Sequence, residues 1–135
     1  MSYSVYIQKF EKGEPAIIPF EQLEQVLFKY GKIESGQFGL EFISNVGEMF
    51  DDASLSGNFE DGINGICFNR PTLNDKFPFL IFDLLGIKNT CFFGTDLEFV
   101  HSRNEMMIHY PDSLIEDLPN GPKVISQVLD NWQLY

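Results

Sequence analysis

The sequence predicts an α+β fold: a mainly antiparallel sheet built of hairpins, with two principal helices packed on one face. Three observations carry this reading. Short stretches alternate apolar and polar residues and are separated by turn residues, as in Leu55–Glu60 and Ile63–Asn69 around Asp61-Gly62. Two segments, 19–30 and 75–86, repeat apolar residues at helical spacing instead. The chain has 135 residues, 44% of them hydrophobic, with no internal repeat, low-complexity tract or linker. It is therefore read as one globular domain over residues 1–135, able to bury a core without staples.

The elements follow in order. Ser2–Phe10 reads as a strand with Tyr3, Val5 and Ile7 on one face, closed by Gly13-Glu14-Pro15. Pro19 opens the first helix, in which Phe20, Leu23, Val26, Leu27 and Tyr30 recur on one side. Glu21 and Glu24 suit its positive N-terminal end and Lys29 its C-terminal end. Gly31 is expected as the C-terminal cap. Gln37–Ile43 alternates, with Phe38, Leu40 and Phe42 on one face. The loop SNVGEMFDD leads into the hairpin around Asp61-Gly62, which Arg70-Pro71 ends, since Pro71 has no N–H to donate.

The second helix, capped by Asn74 or Asp75, tolerates Pro78 only in its first turn, and Gly86 ends it. Its apolar residues surround most of its circumference, so it should be largely buried. Thr90–Phe93 and Leu97–His101 form a hairpin around Gly94-Thr95-Asp96. Residues 106–110, MMIHY, suit one more short strand, and Pro111–Leu118 a short helix. The final KVISQVLDNW reads as a strand followed by a helical turn.

Twenty acids against nine bases give a net charge of −11. Such a chain repels nucleic acid and anionic membrane surfaces, whose recognition requires neutralising Lys and Arg. The opening MSYSVYIQKFEKGEP lacks a basic segment followed by an apolar one, so a cytoplasmic location is expected. There Cys67 and Cys91 should be reduced thiols, and neither lies in a CxxC pair.

No GxGxxG, Walker loop, HExxH, EF-hand loop or GxSxG occurs, so no catalytic residue, metal site or cofactor is assigned. The one catalytic alternative is a Cys91–His101 dyad. With Gly94–Asp96 as the turn, Cys91 would oppose Phe99 and His101 would lie diagonally from Cys91 on the same face. That face is also apolar, which suits a core cysteine equally. His101 and His109 suggest no shared metal from their spacing, and Asp51-Asp52 lacks the spacing of a calcium loop.

The remaining feature is charge. Residues 39–69 hold Glu41, Glu48, Asp51, Asp52, Glu60 and Asp61 and no Lys or Arg. The strands involved are sequential, so these carboxylates are expected to converge on one side of the sheet. Their repulsion costs stability, and a basic partner explains its retention; a solvated face protecting edge strands is the simpler alternative. Phe50, between Met49 and Asp51, is the candidate aromatic anchor of such an interface.

In size, acidity, aromatic content and lack of catalytic motifs, the chain resembles the small bacterial immunity proteins of toxin–immunity systems, including contact-dependent growth inhibition. MSYSVYIQKFEKGEP and GICFNRPT…FPFLIFDLL also resemble small bacterial α+β proteins. The resemblance implies a non-enzymatic cytoplasmic inhibitor that binds a cognate basic toxin domain, often a nuclease, and masks its active site. It assigns no residue. A small-ligand module with a pocket between helix and sheet is a further alternative.

Overall fold

The structure is a computed structural model that describes residues 3–37, 39–72, 76–116 and 118–128. Its elements are β1 (Ser4–Glu11), β2 (Glu14–Ala16), α1 (Phe20–Leu27), β3 (Gly31–Gly36), β4 (Gly39–Ser44), β5 (Asp52–Asn58), β6 (Gly62–Asn69), α2 (Phe77–Leu84), β7 (Thr90–Gly94), β8 (Val100–Ser102), α3 (Asp112–Ile115) and β9 (Lys123–Val124). One sheet runs in the order β3-β4-β5-β6-β1-β7-β8-β9, with β2 beside the end of β1. Its pairings are antiparallel except β8 with β9, which is parallel. The architecture is α+β and mostly sheet.

The strand period of two decides which side chains meet. Val5 and Ile7 of β1 align with Phe68 and Ile66 of β6, and these with Ala53 and Leu55 of β5. Leu55 in turn opposes Leu40 of β4. All are buried, and they share one core with Leu23 and Leu27 of α1 and with Phe77, Leu80, Ile81 and Leu84 of α2. Intervening residues point outward, forming the row Phe93–Tyr6–Cys67–Ser54–Glu41–Glu34 across β7, β1, β6, β5, β4 and β3. Among the described residues, a second apolar cluster of Phe10, Cys91, Val100, Met106, Tyr110 and Leu114 covers the β1–β7–β8 end of this outer side.

Several sequence expectations are corrected. Residues 13–15 do not close β1 but turn it back: Lys12 and Gly13 take positive φ values of 51° and 85°, and Glu14–Ala16 pairs with β1. Gly31 is no helix cap. It begins β3, which the sequence reading missed, and a Cβ there would lie 2.0 Å from the Ile43 carbonyl oxygen. The alternating stretch 37–43 therefore starts in a turn at Gln37, and the strand begins at Gly39; Phe38 lies outside the described residues. The β5–β6 turn is longer than Asp61-Gly62 alone. Asn58 pairs with Gly62, and the ladder shifts register between Ser56 and Gly57.

Residues 106–110 form a turn, not a strand: the N–H groups of His109 and Tyr110 both donate to the Met106 carbonyl. This places Met106 and Tyr110 in the second cluster. The caps proposed at Asn74 and Asp75 lie outside the described residues. Helix α2 otherwise has the expected character. Pro78 sits in its first turn, and Phe77, Leu80, Ile81 and Leu84 are buried. Arg103 lies 4.0 Å above the ring of half-buried Phe82.

Candidate functional site

The acidic stretch divides into two groups. Glu41 extends from β4, Glu48 and Asp51 belong to the loop before β5, and Asp52 begins β5. These four surround a depression of about 220 Å³ whose lining also includes Phe42 and Phe50. The loop is anchored rather than loose. Met49 is fully buried, the Thr72 hydroxyl donates to the Glu48 carbonyl at 2.5 Å, and the Thr72 and Asp51 N–H groups donate to Met49 and Asn69 carbonyls at 2.9 Å. Gly47 takes φ 116°, which a side chain would strain, and its carbonyl accepts from the Ser44 hydroxyl at 3.0 Å.

Positive charge barely offsets this group. Arg70 Nη1 lies 3.3 Å from Asp51 Oδ2, with both side chains more than half exposed, so the pair contributes little to stability. Asp52 accepts from the Asn69 amide at 2.6 Å, and Asn69 in turn accepts from the Ser4 hydroxyl at 2.5 Å. Glu41 faces Glu34 across the β3–β4 ladder, a like-charge pairing relieved by Lys32 at 2.8 Å from Glu34.

Glu60 and Asp61 are elsewhere, at the β5–β6 tip. Their turn is organised by Asn58, whose side-chain carbonyl accepts the N–H groups of Glu60 and Asp61 at 2.9 and 2.7 Å. Asp52 and Asn58 are at opposite ends of β5, about 20 Å apart at the rise of an extended strand. Convergence thus applies to Glu41, Glu48, Asp51 and Asp52 and not to Glu60 and Asp61. Exposed Phe59 accompanies the tip, its ring centroid 4.6 Å from that of Phe20. Phe50 is half-buried, with centroids 5.2 Å from Phe68 and 5.9 Å from Phe42. It serves the core and presents only part of its ring to the depression.

The structure overturns the Cys91–His101 dyad. Cys91 opposes Ser102 and His101 opposes Phe92, so the two side chains leave opposite faces of the sheet. The expected turn was three residues; the observed connection runs from Thr95 to Phe99, with Leu97 at φ 55°. The odd shift in register exchanges the faces. His101 instead stacks on Phe99 at 5.1 Å in the main core, and Cys91 lies in the second cluster. Burial pushes the Cys91 thiol well above its ordinary range, the reverse of an activated nucleophile. Cys67 lies on the outer side, half-buried between Tyr6 and Ser54. Its thiol is also raised, by burial first and by Asp52, with the Ser4 and Tyr6 side chains acting in the opposite direction.

One feature escaped sequence reading. A cavity of about 500 Å³ opens on the outer side of β1 and β7, against α3 and Pro15. It falls between the sheet and α3, not between the sheet and α1 or α2, where Phe10, Phe93, Leu97 and Leu114 line one space. Among the described residues, no three His, Cys, Asp or Glu side chains gather as a metal site, and no helix is long and apolar enough to cross a membrane. No family model matches the chain, nor does any curated protein or solved structure.

Proposed function

We propose that the protein is a non-enzymatic inhibitor of the immunity type, binding a cognate basic toxin domain through its acidic depression and blocking that domain's active site. The observation carrying this reading is the gathering of Glu41, Glu48, Asp51 and Asp52 around one anchored loop, with Arg70 paired to Asp51. In this reading α1 and α2 together back one face of the sheet, and the partner meets the β4–β5 end. The carboxylates pair with Lys and Arg that a nuclease would direct at phosphates, and the exposed part of Phe50 fills a shallow pocket between them. Association is steered by charge and is fast at low salt. Glu60 and Asp61, at the far end of β5, contribute to the long-range field and not to the contact.

The test is co-expression with the C-terminal domain of whatever protein the adjacent upstream reading frame encodes, followed by titration of the purified pair. Growth rescue with formation of a complex is expected. The double reversal D51K/D52K should weaken binding at least tenfold and flatten its salt dependence, whereas E60K/D61K should slow association without breaking the complex. Rescue with an unchanged affinity and salt slope for D51K/D52K would reject the depression as the interface.

A further inference from the structure

We propose that the cavity between the outer side of β1–β7 and α3 is a binding site for a small planar aromatic amine. Its volume, about 500 Å³, lies within the range of small-molecule sites. Among the described residues it shares none of its lining with the acidic depression. The chemistry of the wall selects the ligand. Tyr6 and Phe93 are register partners whose rings stack on each other at 5.4 Å and 25°, and both line the cavity, so the stack leaves ring edges and an outer ring face for a ligand. Phe10 and Leu114 extend this wall and Leu97 closes one side, so a flat ring would be held by stacking and apolar contact.

Polar groups are few and lie at different points around the wall, as orientation of a small ligand requires. The Gln8 amide and Ser113 hydroxyl border the space. The Thr95 hydroxyl is committed elsewhere, donating to the Ser4 carbonyl at 2.8 Å. The charge preference follows from sequence and exposure together. Among the described residues the lining contains no Lys or Arg. Exposed Asp96 and Glu98 flank Leu97, exposed Asp112 precedes Ser113, and exposed Glu14 precedes Pro15. These carboxylates are sequence neighbours of lining residues, Asp96 and Glu98 also acting on the Tyr3 hydroxyl, and the whole chain adds a net charge of −11. A protonated amine attached to a ring is favoured by this field and by the outer ring face of the Tyr6–Phe93 stack; a carboxylate on the same ring is repelled.

The experiment is a titration of the isotopically labelled full chain with three probes of one ring system, followed by amide chemical shifts: tryptamine, indole and indole-3-acetate. Tryptamine should give saturable shifts centred on Gln8, Phe93, Leu97 and Ser113, indole weaker ones, and indole-3-acetate the weakest. D96N/D112N should remove roughly a fivefold preference of tryptamine over indole. Ser113→Trp, at an exposed α3 position, should fill the opening and abolish the shifts. Absence of saturable shifts with tryptamine, or indole-3-acetate binding as tightly as tryptamine, would overturn the proposal, and both outcomes are read on the unmodified protein.

Discussion

Strand β6 shows two environments within a few residues. Ile66 and Phe68 face the core and are 2% and 0% exposed, whereas Cys67 between them is half-buried on the outer side. The contrast extends across β5 and β4, where Ala53, Leu55, Leu40 and Phe42 are buried while Ser54 and Glu41 look outward. On the core side, Leu23 and Leu27 of α1, Phe77, Leu80, Ile81 and Leu84 of α2 and the half-buried Phe50 belong to one apolar cluster with the strand residues. Among the described residues, the outer side is covered near β7 and β8 by Met106, Tyr110 and α3 and not over β5, β4 and β3. Stability is therefore concentrated on one side of the sheet, and the surface available for recognition on the other. The aromatic cavity lies on that outer side; the acidic depression lies at the β4–β5 end, where outward Glu41 and Asp52 meet the core-side Phe42, Phe50 and Ala53.

The largest effect that could break this contrast is a cavity in the core. Phe68 contacts the rings of Phe50 and Phe77 at 5.2 and 5.4 Å, so Phe68→Ala should lower unfolding free energy by about 3–5 kcal/mol. Ser54→Ala, on the neighbouring strand but the outer side, should stay within about 0.5 kcal/mol. Comparable losses in urea titrations of the two variants would mean that the sides are not energetically distinct.

Alkaline pH should produce the next effect. Tyr3 is pushed up to about 12 from 10.0, by burial first and then by Asp96 and Glu98. Burial also raises Tyr30, which donates to Asp83 at 2.5 Å, and raises Tyr110 beside Cys91. The folded state holds these protons more tightly than the unfolded chain, so their contribution is fully present below the ordinary values of 9.0 for the thiol and 10.0 for the phenols. It is lost as pH rises above them. Melting temperature should be independent of these groups below about pH 9 and fall steeply above pH 10, with delayed appearance of tyrosinate absorbance. A tyrosinate titration in which every tyrosine has its midpoint near pH 10 in the folded protein would contradict the burial of these hydroxyls.

The smallest effect separates the two thiols. A neutral thiol reagent should modify Cys67 in the native protein and spare Cys91 until unfolding. Cys67→Ser should abolish native labelling and change stability by less than about 1 kcal/mol. Native labelling of Cys91 would show that the second cluster opens readily and would weaken the description of that end as closed.

Much of the core was legible in the sequence. Leu23 and Leu27 of α1, Leu40 and Phe42 of β4, and the apolar girth of α2 are all buried as their spacing implies. The acidic loop was legible as composition, and four of its six carboxylates do meet. The rest depended on information that spacing does not hold. Strand β3, Gly-Lys-Ile-Glu-Ser-Gly, has one large apolar residue and no alternation to announce it; Gly31 is required there by the approach of the Ile43 carbonyl. The dyad failed because the Thr95–Phe99 connection set an odd register.

By itself the sequence determined the α+β class, the places of α1 and α2 though not their shorter bounds, and most core-facing side chains, because periodicity and turn chemistry act over a few neighbouring residues. Only the tertiary structure decided the register of β7 with β8, the separation of Glu60 and Asp61 from the other carboxylates, and the cavity lined by Tyr6, Phe93, Leu97 and Leu114. These depend on contacts between residues far apart in the chain. A single-residue change of register exchanges the faces of a strand while leaving its sequence pattern unchanged.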